Sequence, residues 1–122
     1  MKLPKFKNQA EYDKANLLLQ PIYIRVLDNI RKEEESSDWS VKYKEIKEPF
    51  PSYIVAVEKD DYRLEQNVWQ LCFEICFTNF TDDREEELVQ TDQILIDENG
   101  EVDWHQLESK TAKYVKNLFI KK

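Results

Sequence analysis

Few residues in this 122-residue chain are equipped for chemistry: His105 is the sole histidine, Gly100 the sole glycine, and Cys72 and Cys76 the two cysteines. The cysteines stand four apart. On a helix that spacing makes the thiols neighbours, yet two sulfurs without a histidine or a further cysteine are only half of a zinc site. On a strand their Cα atoms are about 13 Å apart, at a rise of about 3.3 Å per residue. A disulfide spans no more than about 7 Å. Both are expected to be small buried hydrophobes that stay reduced in a cytosol. His105 falls in the first turn of a C-terminal helical segment, on the flank away from Leu107 and Tyr114, which is a surface position rather than that of a general base. Glu74, set among apolar residues, is the carboxylate placed for acid–base work beside a tyrosine or a histidine.

Asp97-Glu98-Asn99-Gly100-Glu101-Val102-Asp103 has the look of the middle of a calcium loop. Aligning Gly100 with the turn glycine puts Leu95 at the first ligand position and Gln106 at the last, where calcium requires carboxylates. The segment therefore reads as a turn leading into a helix. A single glycine also excludes a glycine-rich phosphate loop. No catalytic set, metal or cofactor is expected.

The net charge of −7 and the pI near 4.8 argue against nucleic acid or an anionic membrane as partner. Charge is polarised along the last third of the chain. Acidic residues crowd positions 81–103, with Asp82, Asp83, Glu85, Glu86 and Glu87 the densest group, and Lys110, Lys113, Lys116, Lys121 and Lys122 follow. Those five acids are the candidate surface for a basic protein partner. The basic N-terminus, Met1 to Lys7, leads into no apolar run, so no export signal is expected. Runs of consecutive apolar residues are too short to span a bilayer. The localisation these features predict is cytoplasmic.

The elements that must position these residues are read from periodicity. Asn8 caps a long helix whose stripe is Tyr12, Ala15, Leu19, Ile22, Val26 and Ile30, with a kink or break expected at Pro21. Trp39, Val41 and Tyr43 alternate with polar residues as a strand, and Tyr53 to Val57 form a second. Residues 68–80 carry two patterns at once. As a strand, Trp69, Leu71, Phe73, Ile75 and Phe77 share a face; as a helix, Gln70, Glu74 and Thr78 form a polar stripe. The abundance of Val, Trp, Phe, Ile and Thr favours the strand. Leu88 to Ile96 reads as a fourth, edge strand, and Asp103 caps a final helix with Trp104, Leu107, Thr111, Tyr114, Val115 and Leu118 as its buried stripe. The predicted fold is a single α+β domain over residues 1–122, ordered α-β-β-β-β-α, with both helices on one face of a mainly antiparallel four-stranded sheet.

The runs Val68-Trp69-Gln70-Leu71-Cys72-Phe73-Glu74-Ile75-Cys76-Phe77 and Ile96-Asp97-Glu98-Asn99-Gly100-Glu101-Val102-Asp103-Trp104-His105-Gln106-Leu107 resemble a group of small uncharacterised cyanobacterial proteins. The resemblance implies a cytoplasmic single-domain protein and brings no activity or catalytic residue with it. With 3 Trp, 6 Tyr and 6 Phe, the chain has more aromatic surface than a small core absorbs. The leading expectation is a non-enzymatic interaction or adaptor protein, acting on a protein partner or as a homo-oligomer. A chaperone-like protein that binds extended segments on its sheet and a small carboxylate enzyme are the alternatives.

Overall fold

The computed structural model describes residues 3–48, 51–80 and 88–121. Helix α1 (Gln9–Glu35) opens where the Asn8 side chain accepts the Glu11 amide at 3.0 Å. It buries Ala15, Leu18, Ile22, Val26 and Ile30, one stripe at spacings of three and four. Leu18 takes the place expected for Leu19, and Tyr12 lies outside the stripe, 45% exposed. Of the kink or break expected at Pro21, the break does not occur: α1 is continuous through it. The carbonyl freed by proline is that of Leu17, which sits on the solvent flank at 47% exposure, where water can satisfy it.

Among the described residues the sheet has three strands, not the four expected. β1 (Ser40–Ile46), β2 (Ser52–Lys59) and β3 (Tyr62–Asn67) form an antiparallel meander in that order. Val41 stands opposite Val57, and Val57 opposite Leu64, so one face carries the apolar side chains towards the helices. The other face bears Lys42, Glu58, Arg63 and Glu65 in ion pairs at the surface, with no helix over it among the described residues. β2 and β3 are joined by the two-residue turn Asp60-Asp61, with Asp60 in the left-handed region at φ 55°. β3 was not foreseen, because Arg63, Glu65 and Asn67 leave it too polar to be recognised by apolar alternation.

The segment foreseen as the central strand is instead helix α2 (Val68–Cys76), entered directly from β3 with the Asn67 side chain capping the Gln70 amide at 3.1 Å. Tertiary burial decides the matter. α2 lies between α1, α3 (Trp104–Lys116) and the sheet, and Val68, Leu71, Cys72, Phe73, Ile75 and Cys76 are all buried. A helix apolar nearly all round suits that position. The polar residues Gln70 and Glu74 fall on an accessible stripe.

The expected fourth strand, Leu88 to Ile96, is likewise overturned. It makes single bridges at Leu88, Thr91 and Ile96 around one 3₁₀ turn, Gln93–Leu95, which the Asp92 side chain initiates. α3 is capped as predicted, Asp103 accepting the Gln106 amide at 3.1 Å, and Gly100 adopts φ +78° in the turn before it. Leu107, Thr111, Val115 and Leu118 are buried, but Trp104 is 54% exposed, its ring covered by the Arg25 guanidinium at 4.8 Å. Among the described residues no helix is long and apolar enough to cross a membrane.

Candidate functional site

Two concave regions flank α2, and their chemistry is opposite. The larger, about 650 Å³, opens between α2 and α3 and is lined by Glu74, Thr78, Lys110, Tyr114 and Asn117 over a floor of Leu71, Phe77 and Phe80. Its lysine is already bound. Lys110 Nζ lies 2.7 Å from Asp92 Oδ2, both side chains only 13% exposed, and Asp92 Oδ1 meanwhile accepts the Ile94 amide. Lys110 also stands 5.5 Å from the centre of the Tyr114 ring. Burial pushes the nearby Cys76 thiol up to about 12, Lys110 pulling it down and Asp92 pushing it up by less than burial does. Burial raises the Cys72 thiol too, reinforced by Cys76. Both thiols are free and protonated at neutral pH, the inert state of a structural cysteine.

The second region is aromatic and runs along a flank of α1. Tyr12, Leu19, Tyr23 and Leu27 repeat at helical spacing beside the buried stripe, and Leu19, Tyr23 and Leu27 pack against the core. A hollow of about 430 Å³ at one end is lined by Phe6, Tyr12, Asn16, Leu19, Trp69 and Phe73. It shares Asn16, Leu19 and Trp69 with a second of about 530 Å³ that reaches Tyr23. Further along α1 a third hollow, also about 530 Å³, lies between Leu27, Arg31, Glu34, Tyr43 and Tyr53.

The rings of this channel form a connected series. Tyr23 stacks on Trp69 at 4.6 Å, Trp69 on Phe73 at 6.1 Å and Phe73 on Phe77 at 6.4 Å. Phe77 meets Phe6 edge-on at 5.8 Å, and Phe6 meets Tyr12 at 5.3 Å. Each such contact adds about 0.5–1.5 kcal/mol beyond area burial. The series thus fixes an exposed ring, Tyr12, to the centre of the core. Tyr43 and Tyr53 pair at 6.3 Å and stay 48% and 39% exposed. Burial, with the charges of Tyr53 and Cys72, raises the Tyr23 phenol; burial, with Glu34 and Tyr23, raises that of Tyr43. Both hydroxyls therefore remain neutral hydrogen-bonding groups at physiological pH.

No family model, curated protein or solved structure matches this chain.

The candidate residues fall as follows. Asp82, Asp83, Glu85, Glu86 and Glu87 lie outside the described residues. His105 is exposed on the first turn of α3 and takes no part in the cavity that holds Glu74 and Tyr114. In the turn before α3, Asp97 Oδ1 accepts the Asn99 and Glu101 amides at 2.9 and 3.0 Å, so its carboxylate organises backbone. No group of three metal-ligating side chains occurs among the described residues. The aromatic channel was missed in the sequence. Its signal is the second apolar row on α1, Tyr12, Leu19, Tyr23 and Leu27, which makes the stripe wider than one packed face requires.

Proposed function

We propose that the protein is a non-enzymatic interaction domain that receives an apolar segment of a partner protein in the aromatic channel beside α1. The observation that carries this reading is the connected ring series from Tyr12 to Tyr23, rooted in the core yet open to solvent at its ends. Large rings held rigidly by their neighbours are the side chains that anchor interfaces, because little conformational entropy remains to be lost on binding. Asn16 and Gln20 along the rim supply amide groups for a partner's backbone. Lys110, the lysine that lines the opposite cavity, is committed to Asp92, and the neighbouring Cys76 thiol is committed to burial, which supports binding over catalysis.

The test is a peptide array probed with the wild-type protein and with Tyr12→Asp. Tyr12 is exposed, so the variant keeps the fold while placing a charge at the mouth of the channel. Apolar peptides are expected to bind the wild type and to lose at least tenfold in affinity with the variant. An array on which the two proteins bind alike would overturn the reading.

A further inference from the structure

β1 is an edge strand with unused backbone. The Val41 amide points away from β2, since it donates to the Glu34 carboxylate at 2.9 Å. Alternate residues of an antiparallel strand turn their N–H and C=O groups the same way. The amides and carbonyls of Tyr43 and Glu45 therefore also face outward, and none has a hydrogen-bond partner among the described residues. Glu34 closes the edge at Val41 and leaves it open from Tyr43 onward.

The side chains along this edge state what fits it. Lys42 and Lys44 project from the helix-free face; Lys42 is 72% exposed and only loosely paired with Glu58 at 3.5 Å. Tyr43 projects to the other face, over the hollow of about 530 Å³ that it shares with Leu27 and Tyr53. A second copy of the chain fits poorly in the registers centred on Lys42, Tyr43 or Lys44. An antiparallel pairing centred on Tyr43 sets Lys42 against Lys44 of the second copy, and centring on Lys42 or on Lys44 sets that lysine against itself. Like charges directly opposite are destabilising, and lysines on an edge are a device against self-pairing. The same lysines suit a strand bearing carboxylates. The chain's net charge of −7 opposes an acidic partner only at long range, where screening sets in beyond about 8 Å at physiological ionic strength.

We infer that β1 docks an extended acidic segment of a partner as an antiparallel fourth strand, its carboxylates alternating opposite Lys42 and Lys44 and its intervening apolar side chains entering the hollow beside Tyr43. This rests on the reading of the protein as an interaction domain and names the chemistry of the partner.

The probe is a fluorescein-labelled octapeptide of alternating glutamate and phenylalanine, followed by fluorescence anisotropy. Tighter binding than the lysine–phenylalanine counterpart is expected, by about tenfold, and the preference reverses in the Lys42→Glu, Lys44→Glu protein. N-methylating the phenylalanines removes the donors that face β1 and should abolish binding. N-methylating the glutamates blocks only the far edge and should leave binding unchanged. Equal affinity for the two methylated peptides, the reverse pattern, equal affinity for acidic and basic peptides, or no binding to the wild type each overturns the inference. Tyr12→Asp separates it from the channel reading, because Tyr12 lies at the end of α1 remote from β1. Binding lost in Tyr12→Asp but indifferent to edge methylation overturns the strand and keeps the channel. Binding that survives Tyr12→Asp yet follows the methylation pattern supports the strand as a site separate from the channel.

Discussion

The cavity between α2 and α3 and the channel beside α1 lie on opposite sides of one short helix and use their residues in opposite ways. The cavity is lined by Lys110, and that lysine is spent on structure: it answers Asp92, and Asp92 also starts a turn. The channel has few charged groups, yet its rings are packed at the root and uncovered at the tip. Reactive residue types thus mark where this fold is stabilised, and unreactive ones mark where it has recognition surface to spare.

The sharpest way to break that contrast is at the ring that joins the channel to the core. Phe77 is 2% exposed, and Phe77→Ala should cost about 3–5 kcal/mol in urea unfolding. A cost below about 1 kcal/mol would mean that the ring series is not anchored. On the cavity side, Asp92→Asn keeps the capping oxygen but leaves the Lys110 ammonium, 13% exposed, without its counter-charge. Its cost should be about 3 kcal/mol, and adding Lys110→Met should recover most of it, since apolar replacement of a buried pair is often neutral. No recovery would show that the pair does more than satisfy itself.

The cysteines sharpen the contrast through pH. Their folded values lie above the ordinary thiol value of 9.0, Cys76 at about 12. Above pH 9 the unfolded chain has therefore released thiol protons that the folded chain still holds. The stability from the buried neutral thiols is complete below that value and declines as pH rises towards 12, on the order of 2 kcal/mol for the pair by pH 10. Melting temperatures of wild type and Cys72→Ala, Cys76→Ala between pH 8 and 10 check this; the double variant should show the shallower alkaline decline, and parallel curves would refute it. The smallest effect belongs to the channel's mouth. Tyr12→Asp should change stability by less than about 1.5 kcal/mol, the value of one edge-on ring contact, while weakening peptide binding. A larger loss would make Tyr12 part of the core.

What could be read in the sequence was local. Asn8, Asp103 and Gly100 announce two helix starts and a turn because each acts on backbone within a few residues. β1 and β2 are legible because Val41 and Tyr43 alternate with lysines and Tyr53 to Val57 is rich in strand-favouring residue types. α2 is ambiguous in principle, since a segment buried on most sides loses the polar positions that distinguish a period of 3.6 from a period of 2. Gln70 and Glu74, spaced by four, were the surviving helical signal. The channel was illegible for a related reason, because it is made by pairing α1 with α2 and the sheet, and half of its wall was assigned to a strand.

The packing of α1 against α3 also bears on how the protein is made. Asn29 hydrogen-bonds Glu108 across 79 positions of sequence, within the main helix–helix contact of the core. Translation at about 5–20 residues per second places several seconds between the emergence of the two helices. During that interval Leu18, Ile22, Val26 and Ile30 have no α3 to pack on, and most helical stability in proteins comes from such packing. The nascent chain therefore leaves the α3-facing part of that stripe uncovered until α3 emerges, and the time at which it is covered is set by the ribosome rather than by the intrinsic speed of helix formation.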